Sequence, residues 1–503
     1  MNSNENIVFA METKEVARGT FINLIGNLGK ISHFGFDIIA ARVMGQQIFG
    51  YYSTTWLIMH LSFIVCYFGA HRLIIDYVVK HINKNDDELY RGVLSYLILS
   101  FLLSGLLVFM IYLFAHEIAY ALDKPPLETY LKIIVWSAPF YSASTILLSA
   151  TRGLKIMKFW VLIRTNFEPL SDLIMISSLF FLFGLLSAPF IAKVISFALG
   201  SMLSLYFFQK HFSVGHIFKF RPTFRTWKRI FSFGFPVMSA DFLSIVTLRL
   251  DIIPLSILVP TAQVAVFQVI LNISNVMRNL PQAIDPIMMP IVVDMRHRKD
   301  MQALEHMYST LIRVGLFLSF GFFVLVSIFG DMLLSMYGGD FVTGAAALTM
   351  VCFGIMMHTT FSSIEPVLVM SGFPYLNLFN NLYFVIVNLL IDFLLIPTYG
   401  IYGAAVGSLS ASVSTSIIQV MELYLILKLK PLRWNLLNIF LFGAVFYVIF
   451  KSIEYAANDF PFQLYIRLIC FLIFVIAYVI VGWKWYLNPE ERHLFSNMFK
   501  KKP

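Results

Sequence analysis

Long apolar runs separated by short polar segments dominate the chain, residues 97–114 and 469–481 among them. A bilayer's hydrocarbon core takes about 20 helical residues. At that length the pattern predicts about fourteen spanning helices, over 19–43, 51–75, 92–115, 129–150, 160–183, 188–209, 231–258, 262–290, 308–330, 343–369, 375–397, 400–427, 434–453 and 465–486. Barrel strands would alternate in short segments, whereas these runs are continuous, so the expected fold is all-α. Pro169 and the series Pro281, Pro286 and Pro290 interrupt spans five and eight.

Composition gives the same answer. Of 503 residues, 59% are apolar and 13% charged, against about 25% charged in soluble domains. So little polar surface leaves the exterior facing lipid, and 51 Phe and 23 Tyr suit a lipid-facing, interface-anchored surface. Residues 1–20 contain no apolar core followed by a small-residue cleavage site, so the first span is expected to be retained. Cys66, Cys352 and Cys470 are far apart within apolar runs and read as packing rather than as a disulfide or metal framework.

The net charge of +9 is explained by its distribution. With both termini inside, 28 of the 37 Lys and Arg fall in cytoplasmic segments and 5 on the opposite side, the asymmetry that orients membrane proteins. That leaves no case for a nucleic-acid surface. Residues 210–229 read as a basic amphipathic stretch on the inner leaflet. Asp37-Ile38-Ile39-Ala40 ends span one and Asp251-Ile252-Ile253-Pro254 ends span seven; Gly184-Leu185-Leu186-Ser187-Ala188 opens span six and Gly400-Ile401-Tyr402-Gly403-Ala404 opens span twelve. Offsets of 214 and 216 residues predict a parallel duplication, a transporter architecture. The expected organisation is a six-helix bundle over 1–209, a linker over 210–230, a second bundle over 231–430, and two further helices with a basic tail over 431–503.

Polar groups at membrane depth are costly, so their placement carries information. Span one bears Asn23, Asn27, Lys30, His33 and Asp37 at helical spacing, and span eight bears Gln268, Asn272, Asn275, Arg278, Asn279 and Gln282. Asp241, Arg249 and Asp251 lie on span seven, His358 and Glu365 on span ten, Asn388 and Asp392 on span eleven, Glu168 and Asp172 on span five, and Lys193 on span six. One explanation is structural: interhelical hydrogen bonds, and ion pairs of Lys30, Arg249 and Arg278 with Asp37, Asp251 or Asp285. The other is a wet cavity in which Lys30, Arg249 and Arg278 meet an anionic substrate, since the guanidinium fork suits phosphate. Asp37, Asp251, Glu365 and Asp392 are then candidates for ion coupling. No Gly-rich nucleotide loop, metal-ligand spacing or nucleophile–base pair is present, which disfavours an ATP-driven pump or an intramembrane enzyme and calls for no cofactor. Gly403-x-x-x-Gly407 reads as close helix packing.

Several ordered segments resemble the polysaccharide-transport family, the lipid-linked oligosaccharide flippases of the multidrug/oligosaccharidyl-lipid/polysaccharide exporter superfamily. They are Ala41-Arg42-Val43-Met44-Gly45-Gln46-Gln47-Ile48-Phe49-Gly50-Tyr51, with Met44 where the family has Leu; Phe233-Gly234-Phe235-Pro236 with Arg249-Leu250-Asp251; Tyr337-Gly338-Gly339-Asp340-Phe341; and Ile396-Pro397-Thr398-Tyr399-Gly400-Ile401-Tyr402-Gly403-Ala404-Ala405. The resemblance implies two six-helix bundles and alternating access. It implies an undecaprenyl-pyrophosphate-linked oligosaccharide flipped outward across a bacterial plasma membrane, with glycan polymerases or ligases as neighbouring partners. Alternatives are a cation-coupled multidrug exporter, a peptidoglycan-precursor flippase, and a non-transporting scaffold for glycan-assembly enzymes.

Overall fold

A computed structural model describes residues 3–81, 87–213, 215, 219–282, 301–361, 364, 368, 373–426, 428, 437–457, 463–482 and 484. Among them there is no strand. Among the described residues, ten helices are long and apolar enough to cross a membrane, and Ile439–Ile453 and Tyr465–Val481 are shorter apolar helices. The protein is an all-helical, multi-pass membrane protein.

Helix α1 runs Ser3–Tyr67 and breaks at Gly45, whose φ of 74° a side chain would disfavour. That break falls between the first two expected spans. Phe68 and Gly69, both at positive φ, then turn the chain into α2 (Ala70–His81). Helix α3 (Asp87–Ala121) turns Phe101, Leu102, Leu106 and Phe109 outward and buries Ser95, Ser100 and Ser104. The Ser95 and Ser104 hydroxyls donate to carbonyls one turn back, leaving no donor stranded. This apolar-out, small-polar-in arrangement reverses that of a soluble helix and fits lipid as solvent.

Helices α4 (Leu127–Ile134) and α5 (Ser137–Gly153) form one span. The next begins at Lys158, passes through a π-turn at Val161–Phe167 and continues as α6 (Glu168–Phe183). Gly29 of α1 lies against the Thr165–Asn166 backbone, where no side chain would fit. Helices α7 (Ala188–Gln209) and α8 (Phe224–Leu248) follow.

The expected span 231–258 is divided. Arg249 leaves helical geometry (φ −119°, ψ 18°), and the chain restarts as α9 (Ile252–Leu258), followed by α10 (Thr261–Gln282). The rest of the expected span 262–290 lies outside the described residues. Helices α11 (Met301–Ser335), α12 (Ala345–Phe361), α13 (Pro374–Tyr399), α14 (Ile401–Ile426), α15 (Leu437–Ala457) and α16 (Gln463–Val481) complete the chain. The last two dock on α11 by setting rings against glycines, with Tyr478 at Gly321, Phe320 at Gly443 and Phe317 at Gly482. The Tyr478 hydroxyl also donates to the Phe317 carbonyl at 2.8 Å. Two compact units result, Met1–Arg249 and Leu250–Pro503.

Candidate functional site: two buried polar clusters

In the first unit, α1, the π-turn, α6 and α7 bring six ionisable side chains together. Arg164 donates from Nη1 to both carboxylate oxygens of Glu168 (2.9 and 3.0 Å) and from Nη2 to the Tyr141 carbonyl (2.7 Å). Its guanidinium also lies 3.9 Å from the Tyr141 ring centroid. Lys193 pairs with Asp172 at 2.5 Å, each nearly fully buried. Its ammonium sits in a box formed by Phe36 and Trp56, each at 4.9 Å, and Phe197 at 5.9 Å. The aromatic faces supply negative potential around this buried ammonium. His33 meets the buried Asp37 one turn later at 3.2 Å. Gly200 leaves room for the Glu168 carboxylate. Both tight cation–carboxylate pairs are thus closed within the unit.

The second unit has a cluster of different character. Asp251 Oδ1 accepts from Asn388 Nδ2 (2.9 Å) and Ser408 Oγ (2.7 Å), joining the start of α9 to α13 and α14. One turn beyond Asn388, Asp392 is fully buried, and neither of its carboxylate oxygens has a hydrogen-bond partner. The Asn388 side-chain oxygen is likewise buried and unpartnered. Helices α13 and α14 approach closely because Gly403 faces the Leu395–Ile396 backbone and Gly407 faces Asp392 and the Asn388 carbonyl. The glycine spacing read as packing therefore also admits a carboxylate. Arg278, partly buried on α10, lies within electrostatic range of Asp251 and makes no ion pair among the described residues. Four oxygen-bearing side chains (Asp251, Asn388, Asp392 and Ser408) and few donors make this cluster a match for a small cation or a proton.

The sequence-predicted residues divide between the clusters. His33 and Asp37 join the first; Arg278, Asp251, Asn388 and Asp392 join the second. Asn272 accepts from Gln268 at 2.8 Å, an intrahelical bond. Asn275 is partly buried on the same helix. Arg249 ends α8, within electrostatic range of His60. The side chains of Asn23, Asn27, Lys30 and Gln282, and Glu365 altogether, lie outside the described residues. Arg164 was missed. Its side chain is largely enclosed and anchors Glu168, four residues on. That i,i+4 spacing was the signal available in the sequence.

Residues 16–296 match the profile of the polysaccharide biosynthesis protein family. The chain belongs to that family. A comparison with curated proteins gave no match. Among solved structures, the chain is similar to the lipid II flippase MurJ in an inward closed conformation, at TM-score 0.72 and 16% identity, covering 95% of this chain and 100% of that one. It is also similar to an inward-facing multidrug resistance MATE family transporter of the MOP superfamily (TM-score 0.63, 12% identity, 84% and 96% coverage). A MOP superfamily transporter from Pyrococcus furiosus follows at TM-score 0.54, 13% identity, and 81% and 94% coverage. At these identities the likeness is one of fold.

Proposed function

We propose that this protein is a flippase that moves an undecaprenyl-pyrophosphate-linked oligosaccharide from the cytoplasmic to the outer leaflet of a bacterial plasma membrane, for surface polysaccharide assembly. The supporting observation is Arg278, a membrane-depth guanidinium that no carboxylate closes off among the described residues, in a chain of the polysaccharide biosynthesis family. Such a charge is retained at a cost of at least about 2.5 kcal/mol, and a pyrophosphate headgroup accounts for it, with Arg249 and Lys30 as further contacts. Both termini are cytoplasmic in this reading. Two six-helix halves, related by the parallel duplication, alternate access. The cluster of Asp251, Asn388, Asp392 and Ser408 takes up a monovalent cation or proton and couples its movement to the cycle. Asp37 serves the first unit as a partner for His33.

Leaflet-resolved translocation in proteoliposomes tests this. A pyrophosphate-linked oligosaccharide lipid is expected to cross, and Arg249→Ala and Arg278→Ala each to abolish crossing at matched protein levels. Transport of a drug cation alone would replace this reading with a multidrug exporter. A peptidoglycan-precursor flippase is the second reading, supported by the fold shared with a lipid II flippase over the whole of that chain; a preference for that lipid over other pyrophosphate-linked glycans would select it.

A further inference from the structure

Most charged contacts in the first unit are closed by a carboxylate: Arg164 by Glu168, Lys193 by Asp172, Lys132 by Glu128, Lys80 and Arg229 by Asp76, and Arg72 by Asp241. The turn between α5 and the π-turn is an exception. Arg152, Lys155, Lys158 and, at the end of α7, Lys210 pair with no carboxylate among the described residues. Arg152 is partly buried, its Nε is buried without a hydrogen-bond partner, and its guanidinium lies 4.5 Å from the Trp160 ring centroid. Lys155 holds a left-handed backbone (φ 62°), which turns the chain sharply here. Phe159 stacks on Phe207 at 4.3 Å and so joins the two helices. Lys158 lies 5.6 Å from the first ring and Lys210 5.6 Å from the second.

An apolar, exposed track leads to each lysine. Leu162 lies one turn beyond Lys158, and Met202 and Tyr206 precede Lys210 at four-residue spacing on α7. Cations at one end and exposed apolar side chains running away from them have the polarity of a phospholipid. Aromatic rings at the junction suit the bilayer interface. We propose that Arg152, Lys158 and Lys210 form a binding site for one anionic phospholipid, its phosphate at the cations and an acyl chain along Leu162, Met202 and Tyr206. The Arg152 contact with the Trp160 ring and the Phe159–Phe207 stack hold these cations at one aromatic junction, which distinguishes the place from a diffuse basic surface. This site uses none of the residues of the two polar clusters.

The test is retention of phosphatidylglycerol by the intact protein, measured by native mass spectrometry after transfer from nanodiscs of equal phosphatidylglycerol and phosphatidylcholine. The variant Arg152→Gln/Lys158→Gln/Lys210→Gln is expected to bind phosphatidylglycerol about a hundredfold more weakly, roughly fivefold per cation. A control, Lys219→Gln/Arg221→Gln/Arg225→Gln, removes equal charge from the segment before and into α8 and should retain it. Comparable thermal midpoints establish that both variants fold; a site variant that misfolds is replaced by the single change Arg152→Gln, expected to lose about fivefold. Equal weakening in site and control variants would overturn the proposal, as would unchanged retention in the site variant. Displacement of the lipid by millimolar inorganic phosphate would also overturn it, since the site would then recognise a free anion.

Discussion

The two buried clusters sit at matching distances along the chain and differ in how their charges are paired. Asp37 and Asp251 are 214 residues apart, and Asp172 and Asn388 are 216 apart. At the 216-residue offset, however, Lys193 corresponds to Leu409 and Arg164 to Asn380. The first unit supplies both carboxylates of its fifth span with cations, each bound at 3 Å or less. The second unit has no cation at those two places and holds Asp251 and Asp392, with amide and hydroxyl donors to one of them and none to the other. Internal ion pairs make a rigid core, because separating them would leave charges in a low-dielectric interior. A carboxylate with room but no resident partner is suited to exchange one. Under the proposed function, the first cluster serves stability and the second ion coupling.

The sharpest way to break that contrast is to remove a resident cation. Lys193→Met should cost about 3–5 kcal/mol, the penalty of leaving Asp172 buried and unpaired, read as a lower unfolding midpoint in detergent. Adding Asp172→Asn should recover most of it. If Lys193→Met is no worse than the matched Leu409→Met, the first cluster is not an internal brace.

Arg164→Lys keeps the charge but loses the second guanidinium nitrogen, which holds the Tyr141 carbonyl while the first holds Glu168. It should cost about 1.5–3 kcal/mol in the same unfolding assay. In the second unit, Asp392→Asn should leave the midpoint unchanged or raise it while slowing transport about tenfold, or 1.4 kcal/mol. It should also flatten the dependence of rate on cation concentration and pH in proteoliposomes. A fall in stability with unaltered ion dependence would turn the assignment around. The smallest effect should come from Arg72 and Asp241, a 3.3 Å pair between α2 and α8 with an exposed guanidinium. A double-mutant cycle to Ala should give a coupling of about 0.2–1 kcal/mol.

Much of the fold was legible because lipid imposes a simple rule. A spanning segment must satisfy its backbone internally and present apolar side chains over a fixed length. The break between the first two expected spans, at Gly45, and the polar stripe ending in Asp37 could be read in that way. The partners of those polar groups could not. Lys193 and Asp172 are 21 residues apart and meet across two helices, and Asp251 finds Asn388 across 137 residues. Helical periodicity says which face a side chain occupies, not which neighbour that face meets.

By itself, then, the sequence determined that this chain lives in a membrane, roughly where it crosses, and that some charge is held where charge is expensive. Only the tertiary structure decided which charges are closed and which are open. The π-turn places Arg164 against Glu168, and the packing of Gly407 leaves Asp392, one acidic residue among several in the sequence, buried without a donor. The reason is that burial and pairing depend on which helices pack together, and that choice is made by side-chain complementarity over distances that local pattern does not encode.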